Sequence, residues 1–291
     1  MIPPRFDYQA PETLAEAVAL LSGNPGAKIL SGGQSLIPMM RFRLAEPALI
    51  VDINRVSGLE YIREEDGWLK IGALTRESAV DGSALVARRY TLLADTTRVI
   101  ADPLVRNRAT VGGNLAHADP AKDHPATMLA YRARVVAMGL AGEREIPIDD
   151  FFLGPFEPSL NQDEILTEIR IPASNGRSGG AYQKLERKVG DFATAAVAIQ
   201  LTLDGAGNVA SLGIGLTNVG LTPIRASVAE EYLIGKSPTG ENFSQTAFLA
   251  SEAAEPEADY RGSVAYKRSL VRTLTYRALM KAVERASGGQ A

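Results

Sequence analysis

The 291-residue chain has no cysteine. That excludes disulfides, a thiol nucleophile, a thiolate zinc site and cysteine-ligated iron–sulfur clusters on this polypeptide. Histidine is nearly absent as well: His117 and His124 are the two present. Their spacing with Asp119 and Asp123 fits no familiar metal-ligand motif, so no metal is expected. Long apolar runs are lacking, which excludes a transmembrane helix. The opening MIPPRFDYQAPETLAEAVALL has one early arginine followed by acids rather than a basic start and an apolar core, and a cytoplasmic location is expected. Charge of one sign is lacking too. With 31 basic and 34 acidic residues, well mixed, the net charge of -3 gives no field suited to nucleic acid or an anionic membrane. The expected ligand is therefore small.

Two familiar nucleotide motifs are also missing. Gly213-Ile-Gly215-Leu-Thr-Asn218 has Asn where the Rossmann fingerprint needs its third glycine and lies inside a strand pattern, and Gly235-Lys236-Ser237 lacks the earlier glycine of a P-loop. Both read as structural.

What is present is a pair of glycine turns, Ser31-Gly32-Gly33-Gln34-Ser35-Leu36 and Thr110-Val111-Gly112-Gly113-Asn114, the latter running on into Leu115-Ala116-His117-Ala118-Asp119-Pro120. Glycine accepts positive φ and lets a ligand touch the backbone, so successive amides can point at a phosphate. Two such turns can grip one diphosphate.

Thr13 with Glu16 forms a capping box for a helix through Leu21, and Ala27 to Leu30 is a strand delivering the first turn. Ser35 is placed to cap the segment after it. Ala48 to Ile53 is a strand, and Tyr61 to Glu64 with Trp68 to Gly72 form a hairpin about Glu65-Asp66-Gly67. Helices are expected over Glu77 to Ala87, Leu92 to Ile100 and His124 to Tyr131, the last with Asp123 as N-cap, and Val135 to Ile148 folds back as a hairpin. Ile165 to Ile171 is a strand, and Pro172 to Gly180 reads as a linker. Beyond it come strands at Ala181 to Glu186, Ala195 to Leu203 and Val209 to Thr217, then helices at Asn242 to Ala254 and Val264 to Ala286, with Arg268, Arg272 and Lys281 of the last helix facing water. This mixture is an α+β fold in two domains, 1–175 (parts 1–57 and 58–175) and 176–291.

Four blocks in this order, AKILSGGQSLIPMMRFRL (Ala27 to Leu44), RNRATVGGNLAHADPAKDHPA (Arg106 to Ala126), DEILTEIRIP (Asp163 to Pro172) and AYQKLERKVGDFAT (Ala181 to Thr194), resemble the flavoprotein (medium) subunits of molybdenum hydroxylases, the xanthine dehydrogenase and carbon monoxide dehydrogenase flavoprotein family. The resemblance covers nearly the whole chain. It implies an FAD-binding domain of the vanillyl-alcohol-oxidase (PCMH) type followed by a smaller C-terminal domain with an antiparallel sheet and helices. It implies FAD held by Leu30, Ser31, Gly32, Gly33, Gln34, Ser35 and Leu36 on one side of the diphosphate and by Thr110, Val111, Gly112, Gly113 and Asn114 on the other. Asp123 matches the acid that holds sugar or ribityl hydroxyls, and Leu166 the apolar residue beside the flavin. Lys184, with Gln183 and Lys188 as alternatives, matches the lysine near the isoalloxazine, and Phe192 an aromatic over its face. No catalytic residue is implied on this chain.

By the same resemblance, a molybdopterin-containing large subunit oxidises substrate, a [2Fe–2S] small subunit relays electrons, and this oxidoreductase subunit passes them through FAD to NAD or a quinone, in a dimer of heterotrimers. Two other readings share the glycine turns: a stand-alone FAD-dependent reductase or oxidase of the same fold, and a non-catalytic nucleotide-binding assembly module.

Overall fold

A computed structural model describes residues 2–173 and 176–288. Among the described residues the chain builds three larger sheets in succession and one two-stranded ribbon. The first part runs β1 (Asp7–Gln9), α1 (Leu14–Gly23), β2 (Lys28–Leu30), α2 (Leu36–Arg41) and β3 (Leu49–Asp52), with the strands parallel in the order β1-β3-β2. The capping box of Thr13 and Glu16 starts α1, whose Ala17, Val18 and Leu21 pack on Leu49, Val51 and Ile53.

The second part contains β4 (Ile62–Glu65), β5 (Trp68–Gly72), α3 (Glu77–Asp81), α4 (Ala84–Arg89), α5 (Thr91–Arg98), α6 (Pro103–Arg106), α7 (Val111–Ala116), α8 (Asp123–Tyr131), β6 (Arg134–Gly139), β7 (Gly142–Pro147), the small ribbon β8 (Phe152–Gly154) and β9 (Glu157–Pro158), and β10 (Ile165–Pro172). Its five-stranded antiparallel sheet has the order β4-β5-β10-β6-β7. The helix expected over Glu77 to Ala87 is two helices, because Gly82 ends α3 and the Ser83 hydroxyl caps α4 by accepting from the Val86 N–H.

The third part comprises β11 (Arg177–Glu186), β12 (Ala193–Leu203), β13 (Val209–Thr217), β14 (Ile224–Arg225), α9 (Ser227–Leu233), α10 (Gly240–Ala253) and α11 (Val264–Ala286). Its antiparallel sheet is covered on both faces. Ala196 and Ala198 of β12 join the core of the second part, while Val197, Ile199 and Leu201 face α9, α10 and α11. Most of the expected linker is strand: β10 extends through Pro172 and β11 begins at Arg177, with Ser174 and Asn175 outside the described residues. Gly179 belongs in that strand because α11 lies on it, and a Cβ there would stand 2.0 Å from the Ala282 carbonyl oxygen.

The basic residues of α11 are not simply solvated. Arg268 Nε donates to the Ala254 carbonyl (3.2 Å), Arg272 lies over the Phe248 ring, and Lys281 reaches Asp95 (3.1 Å). Among the described residues, no helix is long and apolar enough to cross a membrane.

Candidate functional site

A cavity of about 700 Å³ lies between the first and second parts of the chain. That volume is in the range of cofactor-sized sites. One wall is the loop from Leu30 to Leu36, which leaves β2 and enters α2. Gly33 has φ +72°, a conformation that favours glycine. Gly32 is required by proximity instead, since a Cβ there would sit 2.4 Å from the Arg108 carbonyl oxygen. Among the described residues, the backbone N–H groups of Gly32, Gly33, Gln34, Ser35 and Leu36 have no partner. Five consecutive unpaired amides beside a cavity are a seat for an anion.

The loop is tied in place. Asn54 Nδ2 donates to the Ser31 carbonyl (2.9 Å), and Arg76 donates to both Asn54 Oδ1 (2.6 Å) and the Arg108 carbonyl (2.7 Å). Ser31 Oγ lies 3.1 Å from Thr110 Oγ1, joining the two glycine segments.

The second segment works differently from the expected turn. Thr110 caps α7 and the glycines are helical, neither with positive φ. Its amides are engaged within the chain: Val111 N–H donates to the Thr75 carbonyl (3.1 Å), Gly112 to Ala73 (3.1 Å), Gly113 to Thr110 Oγ1 (3.2 Å) and Asn114 to the Thr110 carbonyl (2.9 Å). Its glycines contribute absence of bulk. A Cβ at Gly112 would meet Ala73 Cβ at 2.6 Å, and one at Gly113 would stand 2.7 Å from both Ser31 Oγ and Thr110 Oγ1.

Leu30 to Leu36, Thr110, Gly112, Gly113, Asn114 and Leu166 line the cavity. Val111, Asp123, Lys184 and Phe192 are not among its lining residues, nor are Gln183 and Lys188. Val111 is fully buried in the core. Asp123 is the first residue of α8 rather than its cap, and its carboxylate is engaged: Tyr182 Oη donates to Oδ1 (2.7 Å) and Lys184 Nζ to Oδ2 (3.1 Å). Burial pushes its pKa up, against the pull of Lys184. Lys184 also pairs with Glu186 (3.2 Å) and the Val99 carbonyl (3.1 Å). Phe192 is 46% exposed in the turn before β12.

Among the cavity residues that the sequence did not place at the cofactor are two titratable ones, Lys122 and His117. Ser35 holds the N-cap position of α2, but its hydroxyl makes no capping bond there. That hydroxyl instead accepts from Lys122 Nζ (3.1 Å), and Lys122 is half-buried at the cavity wall, where burial drives its pKa down to about 8. His117, stacked edge-on against Phe156 (ring centroids 5.2 Å apart), also lines the cavity, and burial with the nearby Lys122 charge lowers its pKa to about 4. It is neutral at pH 7. The only signal for either was position inside the second glycine block. Behind Asn114, Glu77 accepts from its Nδ2 (3.4 Å) and pairs with His124 Nε2 (2.8 Å), both fully buried.

Residues 4–174 match the family described as the FAD binding domain in molybdopterin dehydrogenase, and residues 180–282 match the CO dehydrogenase flavoprotein C-terminal domain. The chain belongs to the FAD-binding medium-subunit family of the molybdenum hydroxylases. It is 44% identical to the carbon monoxide dehydrogenase medium chain of Hydrogenophaga pseudoflava, over 99% of this chain and 100% of that one. The 6-hydroxypseudooxynicotine dehydrogenase complex subunit alpha of Paenarthrobacter nicotinovorans is 38% identical, over 98% and 97% of the two chains. In structure, a chain of the Hydrogenophaga pseudoflava carbon monoxide dehydrogenase lacking the Mo-pyranopterin moiety superposes with a TM-score of 0.95 at 46% identity, covering 98% of this chain and 99% of that one. Like these flavoprotein subunits, the chain is a dehydrogenase subunit with FAD as its cofactor, and the α+β architecture expected from the sequence is the one observed.

Proposed function

We propose that this chain carries FAD in the cavity between its first two parts and passes electrons from the [2Fe–2S] clusters of a small subunit to NAD or a quinone. The observation that carries the reading is the run of unpaired amides from Gly32 to Leu36, set against the side-chain-free face of α7. That donor set suits a diphosphate, and Leu30, Ile53, Leu74, Ile165 and Leu166 supply apolar wall for flat rings. Bound FAD exchanges electrons singly or in pairs. The chain's own task is to seat it, exclude water from it and leave it reachable from outside.

In this proposal Leu30 to Leu36, Thr110, Gly112, Gly113, Asn114 and Leu166 hold the cofactor, with Val111 packed in the core behind them. Asp123 and Lys184 act from the layer behind the wall, and Phe192 from the surface. The FAD-binding part is 1–175, in two pieces divided near residue 57, and 176–291 is the C-terminal domain. With no cysteine on the chain, the clusters belong to a partner, and a molybdopterin-containing large subunit completes a heterotrimer that pairs into a dimer. The cytoplasmic location expected from the sequence is part of the same proposal.

The test is anaerobic reduction of the purified complex by dithionite, followed by NAD or a quinone analogue. Extracted FAD and reoxidation by one of these acceptors are the expected results. A complex with no flavin refutes the reading. Turnover by this chain without its partners would instead favour a self-sufficient reductase.

A further inference from the structure

We infer that the Lys122 ammonium is the counter-charge of the cofactor diphosphate, completing with a side chain the seat that the 32–36 loop forms with its backbone. The inference rests on the FAD reading above. Lys122 lines the cavity and donates to Ser35 Oγ (3.1 Å), within the run of unpaired amides. Ammonium and amides thus converge on one place. Yet the cation is unmatched: among the described residues it forms no ion pair with any carboxylate.

Each anion that faces it is engaged elsewhere. Asp119, in its own loop, accepts from the Ala121 N–H (2.9 Å). Glu77 of α3 is held by His124 and Asn114, and Asp123 of α8 by Tyr182 and Lys184. His117, the other titratable group beside it, is neutral at pH 7 and offers no charge. Withdrawing an ammonium from water without a neutralising partner is costly, and the Ser35 hydroxyl that it meets carries no charge. A diphosphate arriving on the loop supplies the missing charge, and charge-assisted bonds from the ammonium strengthen its hold.

Proton linkage gives a signature. With the free ammonium depressed to about 8, binding a diphosphate returns the group toward its ordinary 10.5. FAD binding above pH 8 therefore takes up a proton, and affinity falls as pH rises, approaching roughly tenfold per unit.

The full-length apoprotein is titrated with FAD by calorimetry in buffers of different ionisation enthalpy, comparing wild type with K122M. The variant is expected to bind at least about tenfold more weakly at neutral pH and to take up no proton near pH 9. Inorganic diphosphate is expected to raise the melting temperature of wild type but not of K122M. K122M without FAD should melt no lower than wild type, since an unpaired cation has been removed; K122Q repeats the measurement with a polar replacement. Equal FAD affinity in wild type and both variants, or proton uptake that persists without the lysine, overturns the inference. A wild-type apoprotein that ignores FAD instead refutes the cofactor reading itself.

Discussion

Gly113 shows how a glycine's physical role can differ from the one its sequence suggests. The sequence suggests a turn with positive φ, whereas the residue is helical and its constraint is space: the position of its missing Cβ is 2.7 Å from two hydroxyls, Ser31 Oγ and Thr110 Oγ1, that join the walls of the cavity. Gly113→Val is expected to push these hydroxyls apart and lower FAD affinity at least about tenfold, while costing about 1–3 kcal/mol of stability from overpacking. Gly205 has nothing within 4 Å of its Cβ position, so Gly205→Val should leave the flavin untouched. The flavin-to-protein absorbance ratio after desalting checks both. Equal ratios for Gly113→Val and wild type would contradict the role given to this face. Lys122 and His117 mark what residue-level reading missed: their importance comes from burial at the cavity wall, and burial of a single loop residue has no periodicity to betray it.

Elements were legible where a local rule governs them. The capping box of Thr13, the Asp66-Gly67 turn with positive φ at both residues, and the apolar spacing along α11 each placed an element within a few residues. The differences arise where a distant partner decides. Gly213 and Gly215 look like a damaged nucleotide fingerprint, but they sit in β13 because α8 presses on that strand: a Cβ at either would lie 1.9 Å from the carbonyl oxygens of Ala130 and Ala126, respectively. Those carbonyls belong to a helix held on its other side by the core, so making room for a methyl means shifting α8 against that packing. Gly215→Ala is therefore expected to destabilise the protein by about 3 kcal/mol, measured as a lower denaturant midpoint, and to weaken FAD binding because Lys122 stands at the start of the displaced helix. An unchanged midpoint would show that α8 can lift off the sheet freely. The parallel first sheet was hidden for a related reason: β1 has three exposed residues, and its place is set by pairing with β3 more than forty positions away.

At the scale of the whole molecule, the third sheet is not a separate body appended to the cofactor-binding parts. Its β12 buries one face in the core of the second part and the other under the C-terminal helices, and one carboxylate, Asp95, bonds to both β11 and α11. Asp95 of α5 accepts from Arg285 (2.8 and 3.0 Å) and Lys281 (3.1 Å) of α11, and from the Tyr182 N–H of β11 (3.4 Å). Burial alone would raise its pKa, but the Arg285 bond and charge, followed by Lys281, outweigh burial and hold it below the ordinary 3.8. A carboxylate depressed in the folded state contributes stability above its unfolded pKa and loses it as pH falls through the folded one. Asp95→Ala leaves Arg285, 8% exposed, with its charge unmatched, so the expected cost near neutral pH is about 3 kcal/mol, or roughly 6 °C in melting temperature. Asp95→Asn keeps the shape and removes the charge, so its deficit relative to wild type should shrink as the pH falls from the unfolded value of 3.8 through the lower folded one, where the wild-type carboxyl also becomes neutral. Melting curves of the three proteins from neutral to acid pH test this. A deficit for Asp95→Asn that stays constant across that range would mean that packing, and not the ion pairs with α11, joins the C-terminal helices to the cofactor-binding half.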